Sequence, residues 1–266
     1  MRRSVSSHLE MDLGGVTDVV ASLAVAADAP VEDEHLVATL DGAEVVLREV
    51  HDDHGGRLHH ADGLGPGHLD ITYEATVAGR STPPAVTDLD VIRYGRPSRY
   101  CESDRLSAFA RAEFHDLTGM ALLDAVTSWV GQRVAYIAGS SRPIDGAVAT
   151  LLARQGVCRD FAHLVIALLR GCDTPARLVS VYAPGLQPMD FHAVAEAYVD
   201  GRWLVADATT LAPRAAMVRI ATGRDAADTA FLTSTGAALT LTALDVVAVT
   251  DGDLPRDDST VPMQLS

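Results

Sequence analysis

ARQGVCRDFAHLVIALLRGCDTP, residues 153–175, is the stretch on which the fold turns. Phe161, Leu164, Val165, Leu168 and Leu169 recur at the spacing of one helix face, so the segment predicts a helix buried along a stripe. Gly171 followed by Pro175 supplies its stop. Cys158 lies one turn ahead of Phe161, at the start of that helix, with Gly156 allowing close backbone approach just before it. A helix N-terminus offers partial positive charge and unpaired N–H groups. It therefore favours a thiolate over a thiol and can receive the oxyanion of a tetrahedral intermediate. A buried core cysteine explains the helix alone equally well. His163 sits about 140° around the helix from Cys158, so it reads as a packing residue. Asp160 falls in the first turn, where a carboxylate complements the dipole.

Downstream, ARLVSVY (176–182) reads as a strand and FHAVAEAYV-DG-RWLVADATT (191–210) as a hairpin turning on Asp200-Gly201. A two-residue loop pairs Val199 with Arg202. It then places Asp207 opposite Val194, and His192 on the same face as Val194. His192 and Asp207 become diagonal neighbours on one face. A histidine and an aspartate ending two mostly apolar strands have a reason to be there if they bond each other. With Cys158 they complete a nucleophile, a base and an orienting group.

Outward from this core, HLVATL (35–40), EVVLREV (44–50) and HLDITYEATV (68–77) predict β-structure broken by DG and GG turns. Residues 103–115 and 120–134 return to helical spacing. The expected organisation is a β-rich N-terminal domain over 1–100, a catalytic core over 101–246 and a loose polar tail over 247–266. His51, His54, His59, His60 and His68 crowd a presumed hairpin loop. No standard ligand spacing links them, so they read as a solvated loop, and neither a metal nor a cofactor is expected.

Composition narrows the function. The chain of 266 residues is 48% hydrophobic, enough for a core, and only 5% aromatic, so Val, Leu and Ala must fill it. A net charge of −15 argues against nucleic acid and anionic membranes as partners. All 21 basic residues are arginine, which excludes Schiff-base chemistry on a lysine. The three cysteines, Cys101, Cys158 and Cys172, form neither a disulfide framework nor a zinc pair. MRRSVSSHLEMDLGG at the N-terminus has no apolar core of a signal peptide, and a cytoplasmic location is expected.

GVCRDFAHL, DFHAVAEAYV and GRWLVADATT, in the order Cys, His, Asp, resemble the transglutaminase-like superfamily. PSRYCESD (97–104) and IATGRDAADTAF (220–231) narrow the resemblance to bacterial transglutaminase-like proteins regarded as candidate cysteine peptidases. Asp-Ala-Thr at 207–209 departs from the usual Asp-Pro-Thr. The resemblance implies an α+β, papain-like core, with the Cys158 helix packed on an antiparallel sheet. It implies a peptide or protein substrate and amide hydrolysis through a Cys158 thioester. Acyl transfer to an amine, and an inert peptide-binding groove, are the alternatives. For the oxyanion partner beyond the Cys158 N–H, Gln155, Trp129 and Tyr136 are all open.

Overall fold

The computed structural model describes residues 1–82 and 85–265. In chain order the first strands are β1 (Arg2–Leu13), β2 (Thr17–Ala21), β3 (Val31–Leu40), β4 (Ala43–Glu44), β5 (Arg48–His51), β6 (Arg57–Leu64) and β7 (Gly67–Ala78). Helices α1 (Asp88–Tyr94), α2 (Ser103–Glu113) and α3 (Gly119–Arg133) follow. Then come the short β8 (Ala135–Tyr136), α4 (Ala147–Ala153), the short β9 (Gln155–Gly156) and α5 (Cys158–Gly171). The chain closes with β10 (Ala176–Tyr182), β11 (Phe191–Val199), β12 (Arg202–Ala206), β13 (Val218–Gly223), β14 (Leu232–Gly236) and β15 (Leu239–Thr250). The architecture is α+β, as expected.

The sheet beneath α5 has the order β12-β11-β10-β13, all antiparallel. Its two faces follow the alternation of the strands. Leu178, Ala195, Ala197, Leu204 and Ala206 turn to the helices and share one core with α5. Val179, Val181, Val194 and Val205 face the other way. Helix α5 is buried from Asp160 through Gly171, beyond the single stripe read from the sequence, because α2, α3 and α4 flank it while the sheet lies beneath. The hairpin takes the expected register, Val199 against Arg202 and Ala195 against Ala206. Asp200 and Gly201 both adopt positive φ, 49° and 77°, the conformation that makes Asp-Gly a tight hairpin turn.

Two sheets contain the N-terminal strands, in the orders β15-β1-β7-β3-β4 and β14-β2-β6-β5. The domain limits read from sequence need correction here. The expected boundary at 246 cuts β15, which pairs with β1 along nearly its whole length. The first and last strands therefore lie side by side in one sheet. The loose tail is also corrected. Val205 N–H donates to the Met263 carbonyl at 2.8 Å, and Leu265 is buried in the second face of the core sheet. Arg214 donates to the Asp257 carboxylate and to the carbonyls of Asp258 and Val261. The tail covers an apolar sheet face and the edge of β12 that would otherwise meet water.

The histidines of the presumed loop disperse. Residues 51–56 do turn, with Asp52 Oδ1 accepting from the N–H groups of His54 and Gly56. His59, however, is buried beside Glu49, and His54 reaches across to α1 against Tyr94. These contacts replace the reading of a purely solvated loop.

Buried charge ties β10, β11 and β13 together. Glu196 accepts from Arg177 and from Arg219, each at 2.7 Å, and is buried. Burial opposes its ionisation, but the two guanidinium groups outweigh it and hold the carboxyl at about 2. Glu196→Ala is expected to destabilise the fold by about 3–5 kcal/mol, because it strands arginine charge in the interior. The midpoint of urea unfolding reads this directly, and a loss under about 1 kcal/mol would contradict it.

No helix among the described residues is long and apolar enough to cross a membrane.

Candidate active site

The parallel bridge of β8 with β9 leads the chain into Cys158, pairing Tyr136 with Gly156. Val157 is extended and Cys158 is the first residue of α5. Gly156 is required there: a Cβ at that position would lie 2.6 Å from the Asp160 Cβ. Asp160 turns back to accept from the Val157 N–H at 2.8 Å and from Ser141 Oγ at 2.9 Å. Its place is structural, fixing the helix start and the loop beside it. Cys158 itself is partly exposed.

His192, second residue of β11, and Asp207, just past β12, are both buried. His192 Nε2 and Asp207 Oδ2 are 3.0 Å apart. The other ring nitrogen, Nδ1, is buried without a hydrogen-bond partner, and Cys158 is close enough to act on the ring. Burial pushes the imidazolium down, but the Asp207 carboxylate and then Cys158 outweigh it and raise His192 to about 10. For Asp207 burial pushes upward, and His192 and Thr209 overcome it, so its carboxyl is held below the usual range. Thr209 contributes its N–H and hydroxyl to Asp207 Oδ1 at 2.9 and 2.6 Å. That leaves each Asp207 oxygen with a partner, one on the threonine and one on the histidine. Gly131 on α3 adds a close approach: a Cβ there would stand 2.7 Å from the Ala208 carbonyl oxygen.

The three oxyanion candidates separate. Trp129 donates its indole N–H to Glu113 at 2.8 Å and has Arg133 and Arg154 over its ring, so it is committed elsewhere. Gln155 is exposed on the bridge strand. The Tyr136 ring lies 5.9 Å from that of Phe161 on α5, and its hydroxyl faces the Cys158 backbone N–H. Burial and the neighbouring thiol push this phenol up to about 12, so it stays a donor at neutral pH.

His163, the rival base, is fully buried and stacked on Tyr100 at 5.4 Å. Its Nε2 accepts from the Ala226 N–H, and burial holds it down at about 3, a neutral packing group. The same contacts explain two of the sequence motifs. Tyr100 N–H donates to Asp225 at 2.8 Å, while Arg170 of α5 donates to the carbonyls of Arg96 and Arg224 and to Ser98 Oγ. PSRY and GRD form a clasp around the far end of the Cys158 helix. Cys101 is buried there, its thiol pushed up by desolvation, and Cys172 packs partly buried on the core. Among the described residues one histidine–carboxylate group, His8, Glu10 and Asp70, brings possible metal-ligand atoms within 4.8 Å of one another. It lies on the face of the N-terminal sheet opposite its apolar core.

The superfamily profile described as transglutaminase-like matches residues 109–208. A crystal structure of a candidate cysteine protease from Cytophaga hutchinsonii is 32% identical with a TM-score of 0.86, and the match covers 97% of this chain and 94% of that one. The chain belongs to the transglutaminase-like superfamily. The match to the Cytophaga structure takes in the N-terminal sheets as well as the transglutaminase-like core, so the resemblance read from the motifs extends over the whole architecture. An uncharacterised protein of Mycobacterium leprae is 29% identical over 134 residues, which are 46% of this chain and 47% of that protein. The chain thus spans about half the length of this curated relative.

Proposed function

We propose that this transglutaminase-like chain is a cysteine-dependent amide or peptide hydrolase, with Cys158 as nucleophile, His192 as base and acid, and Asp207 as the group that orients His192. The observation carrying it is the buried His192–Asp207 hydrogen bond, which leaves Nδ1 for a thiol at the first residue of a helix. The likeness to a candidate cysteine protease supports the same reading.

In this reading the Cys158 sulfur attacks the scissile carbonyl. The developing oxyanion accepts from the Cys158 backbone N–H and from the Tyr136 hydroxyl. His192, protonated on Nδ1 and held by Asp207 through Nε2, passes that proton to the departing amine. The thioester left on Cys158 is then attacked by water, which gives its proton to His192, and the acid product leaves. Asp207 stays ionised throughout and fixes the ring.

Digestion of an unbiased peptide library by wild type and by Cys158→Ala tests the reaction class. Cleavages present only with wild type are expected; identical patterns would overturn the proposal. Tyr136→Phe removes only the second donor and is expected to lower kcat/KM about 10²-fold, with alkylation of Cys158 by iodoacetamide unchanged because that reaction forms no oxyanion. A variant within twofold of wild type would remove Tyr136 from the site.

Acyl transfer shares every step up to the thioester and differs in the nucleophile that resolves it. Supplying cadaverine with a cleavable acyl substrate separates the two. Free acid is expected to dominate, and predominance of the amide at millimolar amine would make the chain a transglutaminase in the strict sense.

A further inference from the structure

Strands β1 and β7 carry two short segments of one pattern, His8-Leu9-Glu10 and His68-Leu69-Asp70. Both leucines turn into the N-terminal core, so by alternation the histidines and carboxylates share the outer face. The register sets Glu10 directly opposite Asp70, His8 opposite Thr72 and Asp12 opposite His68. A local two-fold axis through the Glu10–Asp70 pair therefore maps one segment onto the other. It puts a histidine at diagonal corners of a carboxylate pair. His68, read from the sequence into a solvated loop, belongs to this array instead.

The side chains follow the register. His8 Nε2 lies 2.6 Å from Asp70 Oδ2 and 3.9 Å from Glu10 Oε1. His68 Nε2 lies 3.8 Å from Glu10 Oε2. Both imidazoles thus turn Nε2 toward the central pair. Their Nδ1 atoms face outer carboxylates: His68 Nδ1 meets Asp12 Oδ1 at 2.8 Å, and His8 Nδ1 stands 4.0 Å from Asp245 Oδ2 on β15. Simple ion pairing needs only one nitrogen of each ring. One nitrogen on a shared centre and the other backed by a carboxylate is the arrangement that orients metal-ligating histidines.

Zinc bonds of about 2.0–2.2 Å place tetrahedral ligand atoms about 3.3–3.6 Å apart. The ligand atoms of His8, Glu10 and Asp70 already lie within 4.8 Å of one another, so small side-chain rotations reach that spacing. Two imidazoles with two carboxylates suit a borderline first-row ion over Ca²⁺ or Mg²⁺, which take oxygen ligands. The two carboxylates also balance its charge. We propose that His8, Glu10, His68 and Asp70 form a binding site for a divalent transition-metal ion of the zinc class, with Asp12 and Asp245 behind the histidines. The ion ties β1 to β7. The opposite face of these strands packs on Tyr182, Val218 and Ile220, so the ion braces the N-terminal sheet and takes no part at Cys158.

The test is calorimetric titration of Zn²⁺ into the untagged full chain carrying Cys158→Ala, because a thiol beside an imidazole also binds zinc. One equivalent per chain is expected, with micromolar affinity, and the ion should raise the thermal midpoint. Adding His8→Ala or His68→Ala should weaken binding by more than about tenfold, and Asp12→Asn, which leaves all four ligands, by about tenfold, the cost of losing an outer partner. The rise in midpoint should shrink in step, while metal-free circular dichroism stays the same in every variant. A structural role of these surface groups would move none of the zinc-dependent readings. Absence of binding at submillimolar Zn²⁺, binding that survives both histidine substitutions, or an equal response to Ca²⁺ and Mg²⁺ would overturn the proposal.

Discussion

Cys158→Ala is expected to lower amide cleavage by at least about 10⁴-fold, since loss of the nucleophile alone costs a triad hydrolase nearly as much as losing the whole triad. The fold should survive. Cys158 is partly exposed at the first residue of its helix, and Asp160 and Ser141 hold that terminus without it. Unchanged circular dichroism and unfolding midpoint, with steady-state cleavage at background, is the predicted pair of results. A folded variant retaining more than a tenth of the wild-type rate would mean that another group attacks the substrate.

Asp207→Asn should lower kcat/KM about 10³-fold, less than the roughly 10⁴-fold of the matching change in a serine triad, because a sulfur nucleophile depends less on proton removal during attack. The pH profile should move as well. In wild type His192 is protonated until pH passes about 10, because the Asp207 carboxylate overcomes burial. Activity that needs the imidazolium is then present below that pH and is lost as pH rises through it. Without the carboxylate, burial dominates and the His192 pKa falls, so the alkaline limb must shift to lower pH. A loss of rate with an unshifted alkaline limb would assign Asp207 a structural task only.

The parts of this site legible in the sequence were those governed by local rules. The α5 stripe and the Asp200-Gly201 turn specify their geometry within a few residues. The turn's register brings His192 and Asp207 together because pairing propagates rigidly along two strands. Strand β1 was not legible for a complementary reason. Its inward positions include Arg3 and Ser7, which break the apolar alternation. They are satisfied by distant groups, Arg3 by the carbonyls of Gly79 and Met217 and Ser7 by the Tyr182 hydroxyl. The tail reads as polar because its anchors, Met263 and Leu265, are isolated apolar residues whose partners lie on β10, β11 and β12. Thr209 escaped notice likewise: a threonine two residues past an aspartate gains its bonds to that carboxylate only when the end of the hairpin is assembled. Tyr136 was visible as one of three oxyanion candidates, and what sets it apart is the place of its hydroxyl beside the Cys158 backbone, a contact made only when β8 and α5 come together.

Trapping the acyl-enzyme tests the central claim most directly. Wild type mixed with a p-nitrophenyl ester and quenched in acid within milliseconds to seconds should show, by mass spectrometry, one acyl group on the peptide containing Cys158. His192→Ala should show little or none under the same conditions. The adduct should decay at the rate of steady-state turnover. Turnover with no adduct on Cys158, or an adduct that persists while product continues to form, would contradict catalysis through a Cys158 thioester.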